Sequence, residues 1–169
     1  MTDTDHDRAI VNSNGPYLGA AFLCEKVIED KEGVLSAIRI VDRIVNTAVG
    51  PGAPADMPNT PVALTLVLTF KSGGAQGRQD VRITIERPDG LRSDLASSLS
   101  ILMEGAERGA NLILNLGLTM TQEGLYWFDV FLNDRLVTRV PLRIVYQRQL
   151  AGGQQAPPGS SGPSSPPSA

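Results

Sequence analysis

One cysteine, Cys24, and one histidine, His6, are all that this 169-residue chain offers of the two residue types most used for nucleophilic and metal chemistry. A lone cysteine closes no disulfide within the chain. A lone histidine beside it cannot complete a Cys/His zinc site. Cys24, in "FLCEK", has no placed histidine to lower its pKa, because His6 belongs to a polar N-terminal run; it reads as an inert buried thiol rather than a nucleophile. A Ser-His-Asp triad fails for the same reason. No G-x-S-x-G, P-loop or G-x-G-x-x-G spacing occurs. Aromatic residues make up only 5% of the chain, so aliphatic side chains must build most of the core. A basic excess is also missing: 15 Lys and Arg stand against 18 Asp and Glu, for a net charge of −3, which argues against a nucleic-acid or anionic-membrane partner. No apolar run approaches the ~20 residues of a membrane span. "MTDTDHDRAIVNSNG" carries acids where a secretory signal carries bases. These absences set the default expectation of a cytoplasmic, non-enzymatic protein without cofactor or metal.

What is present is alternation. "VALTLVLTF" puts Val62, Leu64, Leu66, Leu68 and Phe70 on one face. "QDVRITIERPDG" does the same with Val81, Ile83 and Ile85, and stops at a Pro-Asp-Gly turn. "ANLILNLGLTM" aligns Leu112, Leu114, Leu116, Leu118 and Met120. Period two over such lengths means strands with one buried side. From Val34 to Val45 the apolar residues also fit a helical stripe, but their β-branched content favours a strand, entered through an Asp30–Gly33 turn. Leu91, Leu95, Leu99 and Leu102 are spaced like a helix face; a short strand near Ser98–Met103 is the alternative adopted. "VGPGAPADMPNTP" is too proline-rich for regular structure, and "KSGGAQGRQD" reads as a flexible hairpin loop between two strands. The tail "AGGQQAPPGSSGPSSPPSA" lacks any charged or large apolar residue and is expected to be disordered. Its P-x-x-P spacing, without flanking specificity residues, reads as linker. The division is a disordered segment at 1–15, one domain at 16–147 and a disordered tail at 148–169. Seven or eight strands in one domain predict an all-β, antiparallel, immunoglobulin-like sandwich.

The most aromatic stretch, "EGLYWFDVFLNDRLVTRVPLRIVY", reads as the last two strands of that sandwich. Tyr126, Phe128, Val130 and Leu132 alternate, Asn133-Asp134 tolerates a left-handed turn, and Leu136, Val140, Leu142 and Ile144 return. Pro141 has no N–H to donate, which places it at an edge or a bulge. Tyr126 is either a tyrosine corner, its hydroxyl bonded back to nearby backbone, or simply a core aromatic. Together with "FLCEKVIEDKEGVLSAIRIVDRI" and "ERPDG", this stretch resembles an uncharacterised family of bacterial, cytoplasmic, β-sandwich-like domains over about Ala20 to Tyr146. The resemblance implies the strand reading of Val34–Val45. It implies no activity, ligand or site residue.

Functional candidates are few. Asp42, within an apolar strand, and Asp129, on the face opposite Tyr126 and Phe128, could each belong to a carboxylate pair for hydrolysis, but a solvated face or a nearby arginine partner is the preferred explanation. The basic residues are twelve arginines against three lysines. Arg39, Arg43, Arg82, Arg139 and Arg143 fall at outward-facing positions, and Trp127 shares that parity. Arginine beside an exposed tryptophan is a frequent interface composition. The expected function is therefore a protein-interaction or structural module with another protein as partner, a homo-oligomer being open as well. A small-ligand or carbohydrate-binding sandwich is the alternative, and a small hydrolase the last.

Overall fold

The computed structural model describes residues 15–149, Glu107 by its backbone alone, and these form seven strands and no helix. They are β1 (Tyr17–Glu29), β2 (Leu35–Ile40), β3 (Arg43–Val49), β4 (Thr60–Glu86), β5 (Arg92–Met120), β6 (Gly124–Leu132) and β7 (Arg135–Gln149). The expected disorder of the two ends lies outside the described residues. β7 continues to Gln149, past the domain boundary expected at Gln147.

β4 and β5, of 27 and 29 residues, form one hairpin long enough to serve two sheets. The first part of β4, to Lys71, runs between β1 and Gly109–Met120 of β5. Its last part, from Val81, runs between β6 and the first half of β5. The hydrogen-bonded order is thus β2-β1-β4-β5 on one side and β5-β4-β6-β7-β3 on the other. Inward side chains from both sides, among them Leu66, Leu68, Phe70, Ile83, Phe128, Val130 and Leu142, join in a single buried cluster. This is a sandwich whose two layers share a pair of strands.

The run "KSGGAQGRQD" is therefore not a hairpin loop. β4 passes through it, with register breaks between Lys71 and Gly73 and between Gly73 and Gln76. Gly73 (φ +56°) and Gly77 (φ +86°) adopt backbone conformations that a side chain resists, and they bend the strand from one layer to the other without ending it. On the partner strand Gly105 (φ +81°) and Ala106 (φ +53°) turn at the same level. The short strand expected at Ser98–Met103 is likewise only the middle of β5. Leu99 pairs with Val81, Ala96 with Ile83 and Asp94 with Thr84, so β5 takes up one extra residue at each of two steps. Each bulge flips the parity between Asp94 and Leu99; beyond it Ile101 and Met103 point inward and Leu102 outward, so the helix-like spacing of the leucines marks no common face.

The expectation of a purely antiparallel sandwich is corrected at β3. It lies parallel to β7, Arg43–Val49 beside Arg143–Gln149. The crossover is short. Val41 donates its N–H to Leu23 of one layer, and the Asp42 carbonyl accepts from Arg143 N–H of the other, so the chain changes layer in two residues while keeping its direction. Pro141 also finds its explanation. The β3 ladder begins only at Arg143, so β7 up to Pro141 is a local edge.

The neighbourhood β4-β6-β7, with the penultimate strand in the middle, is that of the C-F-G sheet of an immunoglobulin sandwich. The tyrosine corner is formed: Tyr126, fully buried two residues into β6, donates its hydroxyl to the Gln122 carbonyl at 2.9 Å. At the β6–β7 turn, Asn133 (φ +47°) and Asp134 (φ +61°) both take the left-handed conformation of a two-residue hairpin. Asn133 docks the turn on β4, its Oδ1 accepting from Asp80 N–H at 2.9 Å.

Candidate interaction surface

The face of β6 turned away from the core carries Leu125, Trp127, Asp129 and Phe131, because Tyr126, Phe128 and Val130 fill the inner positions. Their cross-strand partners fix the rest of this face. On β4, Trp127, Asp129 and Phe131 face Glu86, Thr84 and Arg82; on β7 the four face Arg143, Pro141, Arg139 and Leu136. Arg92 and Asp94 of β5 pair with Glu86 and Thr84, and Arg43 of β3 with Arg143.

The middle of the face is an ion network. Asp129 is buried, and Arg139 reaches it with Nε at 2.6 Å. The same guanidinium donates to Glu86 at 2.6 Å, and Glu86 also accepts from Arg92 Nε at 2.9 Å. These arginines, Arg92 before Arg139, hold the Glu86 carboxyl below the ordinary glutamate value. The bond to Asp129 and then the one to Glu86 hold Arg139 protonated more firmly still. Aromatic rings lie under two cations of this face: Arg139 is 5.0 Å from the Trp127 ring and Arg82 is 4.0 Å from that of Phe131. Trp127 and Phe131 are consequently half-buried without any side chain from the other layer.

The end of the face is different. Arg43 and Arg143 stand directly opposite each other on the β3–β7 ladder, both exposed. Among the described residues neither takes part in a salt bridge. Like charges placed directly across a ladder are unfavourable. Leu125, cross-strand from Arg143, and the Val45–Val145 pair lie beside them on the same face.

Of the residues expected to form an interaction surface, Arg43, Arg82, Trp127, Arg139 and Arg143 share this face. Arg39 does not. It sits on β2 in the other layer, in a left-handed conformation (φ +52°), 3.1 Å from Glu25. It meets Arg43 only across an open groove of about 790 Å³ between the β2–β3 crossover and the start of β4. Arg82 and Arg143 pair with Phe131 and Leu125, six positions apart along β6, or about 20 Å at the usual strand rise. They are opposite ends of one face rather than one cluster.

The other chemical candidates separate. Cys24 is fully buried on β1, its thiol 3.6 Å from the Lys26 carbonyl, and burial pushes that thiol up, towards the unreactive protonated form. Asp129 is bound by Arg139, whereas Asp42 is exposed in the β2–β3 crossover. They are not a carboxylate pair of the kind a hydrolase uses. Among the described residues no helix is long and apolar enough to cross a membrane.

Residues 19–145 match the model of a family of unknown function, DUF6941. The chain belongs to this family. The match covers the described strands from within β1 to within β7, crossover and tyrosine corner included. No curated protein sequence matches the DUF6941 chain. Among solved structures it is similar, at 14% identity in each case, to three proteins. One is an alkylpurine DNA glycosylase of Pseudomonas fluorescens bound to DNA containing an abasic site analog (TM-score 0.39, covering 48% of this chain and 25% of that one). Another is the CARDB domain of a Pyrococcus furiosus protein in complex with di-metal ions (TM-score 0.38, 79% and 97%). The third is an immunoglobulin-like protein from Pseudomonas aeruginosa (TM-score 0.36, 79% and 99%). The DUF6941 chain thus spans a quarter of the glycosylase's length.

Proposed function

We propose that this sandwich is a non-enzymatic binding module that takes an acidic protein partner on the outer face of β3, β6 and β7. The observation that carries the reading is the Arg43–Arg143 pair. Elsewhere on the face each cation has its carboxylate: Arg139 has Asp129 and Glu86, Arg92 has Glu86, and Arg82 lies 4.0 Å from Asp134. Arg43 and Arg143 have none among the described residues, and they oppose one another. A carboxylate set between the two guanidinium groups would relieve that repulsion and accept bidentate hydrogen bonds. Leu125, Val45 and Val145 provide apolar area next to the charge, as in interfaces where a desolvated anchor sits beside an arginine.

A carbohydrate platform fits less well. Sugar stacking needs an open aromatic face, and the Trp127 ring already lies under the Arg139 guanidinium.

The test is affinity capture from the native host with wild type and with the double variant Arg43→Glu/Arg143→Glu. Both side chains are exposed, so the melting temperature should stay nearly unchanged while a specific, stoichiometric partner is lost. That partner's binding should also weaken with added salt, because the attraction is between accessible charges. A double variant that folds and retains every wild-type partner would sink the proposal.

A further inference from the structure

Among the described residues, β5 is an edge strand along its whole length. It pairs with β4 and, among the described residues, with no other strand, so one side of its backbone is unpaired from Arg92 to Met120. The two halves of that edge differ in chemistry. The first half carries Arg92, Asp94, Glu104 and Arg108, and charges of this kind are how sheet proteins keep free edges from pairing. From Gly109 to Met120, "GANLILNLGLTM", there is neither a charged residue nor a proline. Leu112, Leu114, Leu116 and Leu118 pack against the core from this strand yet stay only half-buried, because nothing described lies beyond them. Among the described residues, the core of this layer is therefore open along one side.

We propose that Gly109–Met120 is a dimer seam, pairing antiparallel with the same stretch of a second copy around a twofold axis at Leu114. The sequence is self-complementary in this register. Leu112 falls opposite the partner's Leu116, Ala110 opposite the partner's Leu118, and Leu114 opposite its own counterpart. Each leucine face thus continues into a leucine face, and the side-chain parity of both sheets is kept. On the other face Asn111 meets the partner's Gly117. No like charges oppose each other anywhere in the seam, a condition that an isologous contact must meet at every position. The pairing would fuse two β2-β1-β4-β5 layers into one eight-stranded sheet and cover the leucines. A second copy is favoured over a foreign strand because neutral meets neutral and leucine meets leucine with no element supplied from outside. The proposal is independent of the arginine face, since neither Arg43, Arg143 nor Trp127 lies on β5.

Sedimentation equilibrium of the full chain at micromolar concentration should give twice the monomer mass of 18.0 kDa. Asn111 is exposed, and a side chain at Gly117 would meet nothing within 4 Å, so both positions accept substitution. Asn111→Lys/Gly117→Lys sets lysine against lysine twice across the axis and should give a folded monomer, with β-type circular dichroism retained. Asn111→Lys/Gly117→Glu sets lysine against glutamate twice and should restore the dimer. A monomeric wild type, or a double-lysine variant that remains dimeric, would overturn the seam. Amide exchange on wild type alone is a check that needs no variant. Outward amides between Asn111 and Leu118 should slow as concentration rises, and exchange independent of concentration would also overturn the proposal.

Discussion

Tyr126 shows how much one atom can report. Its ring is a core residue whichever way the hydroxyl is satisfied, so the sequence left a corner and a plain core aromatic open. The 2.9 Å bond to the Gln122 carbonyl decides for the corner. Tyr126→Phe removes a donor and leaves a partly buried acceptor without its partner, so unfolding in denaturant should show a loss of about 1 kcal/mol with unchanged m-value. A neutral substitution would mean that the corner contributes nothing to stability. Arg39 teaches the opposite lesson. Alternation placed it outward correctly, but parity says nothing about which layer a strand joins, and the crossover at Val41–Asp42 puts it in the layer away from the other arginines. The partners of Arg139 were equally hidden. Glu86 lies 53 positions earlier in the chain and becomes a neighbour only through the order β4-β6-β7.

At the scale of elements, period two revealed the two ends of β4, the end of β5, and β6 and β7, whereas β3, though regularly alternating, also fitted a helical stripe in the sequence. The pattern failed where the pleat is broken. The glycines at 73 and 77 looked like a loop because turns and bends use the same backbone conformations, and the two bulges in β5 interrupt the period between Asp94 and Leu99. The bend makes its own forecast. At Gly73 a Cβ would come 2.8 Å from the Tyr17 hydroxyl and the φ is left-handed, whereas at Gly77 a Cβ meets nothing within 4 Å and only the φ resists. Gly77→Ala should therefore cost about 1 kcal/mol, the backbone penalty alone, and Gly73→Ala clearly more. Equal losses in thermal unfolding would show that the closeness to Tyr17 has no energetic weight.

For the molecule as a whole, the depressed carboxyls set the acid limb of stability. Glu86 is held down by Arg92 and then Arg139, and Asp89 first by the Leu91 N–H and then by Arg87. A folded-state value below the unfolded one means stability that is present above the unfolded value and lost as pH falls through the folded one. Melting temperature should thus decline below the ordinary carboxylate range, and Glu86→Gln should be less stable at neutral pH but decline less steeply; an unchanged acid limb in Glu86→Gln would remove that carboxyl from the account. The parallel pairing of β3 with β7 has a consequence in time rather than in free energy. The β4–β5 and β6–β7 hairpins join neighbours in the chain, but the last ladder brings Arg43 to Arg143, and no turn assists that closure. Loop entropy delays such contacts until the rest of the chain is compact. β3 should therefore dock after the rate-limiting step. Ile44→Ala should speed unfolding and leave the refolding rate nearly untouched, because Ile44 packs β3 against the core, while Ile83→Val, in the shared hairpin, should slow refolding. A chain that folds in this order completes the face bearing Arg43 and Arg143 last, and opens it first.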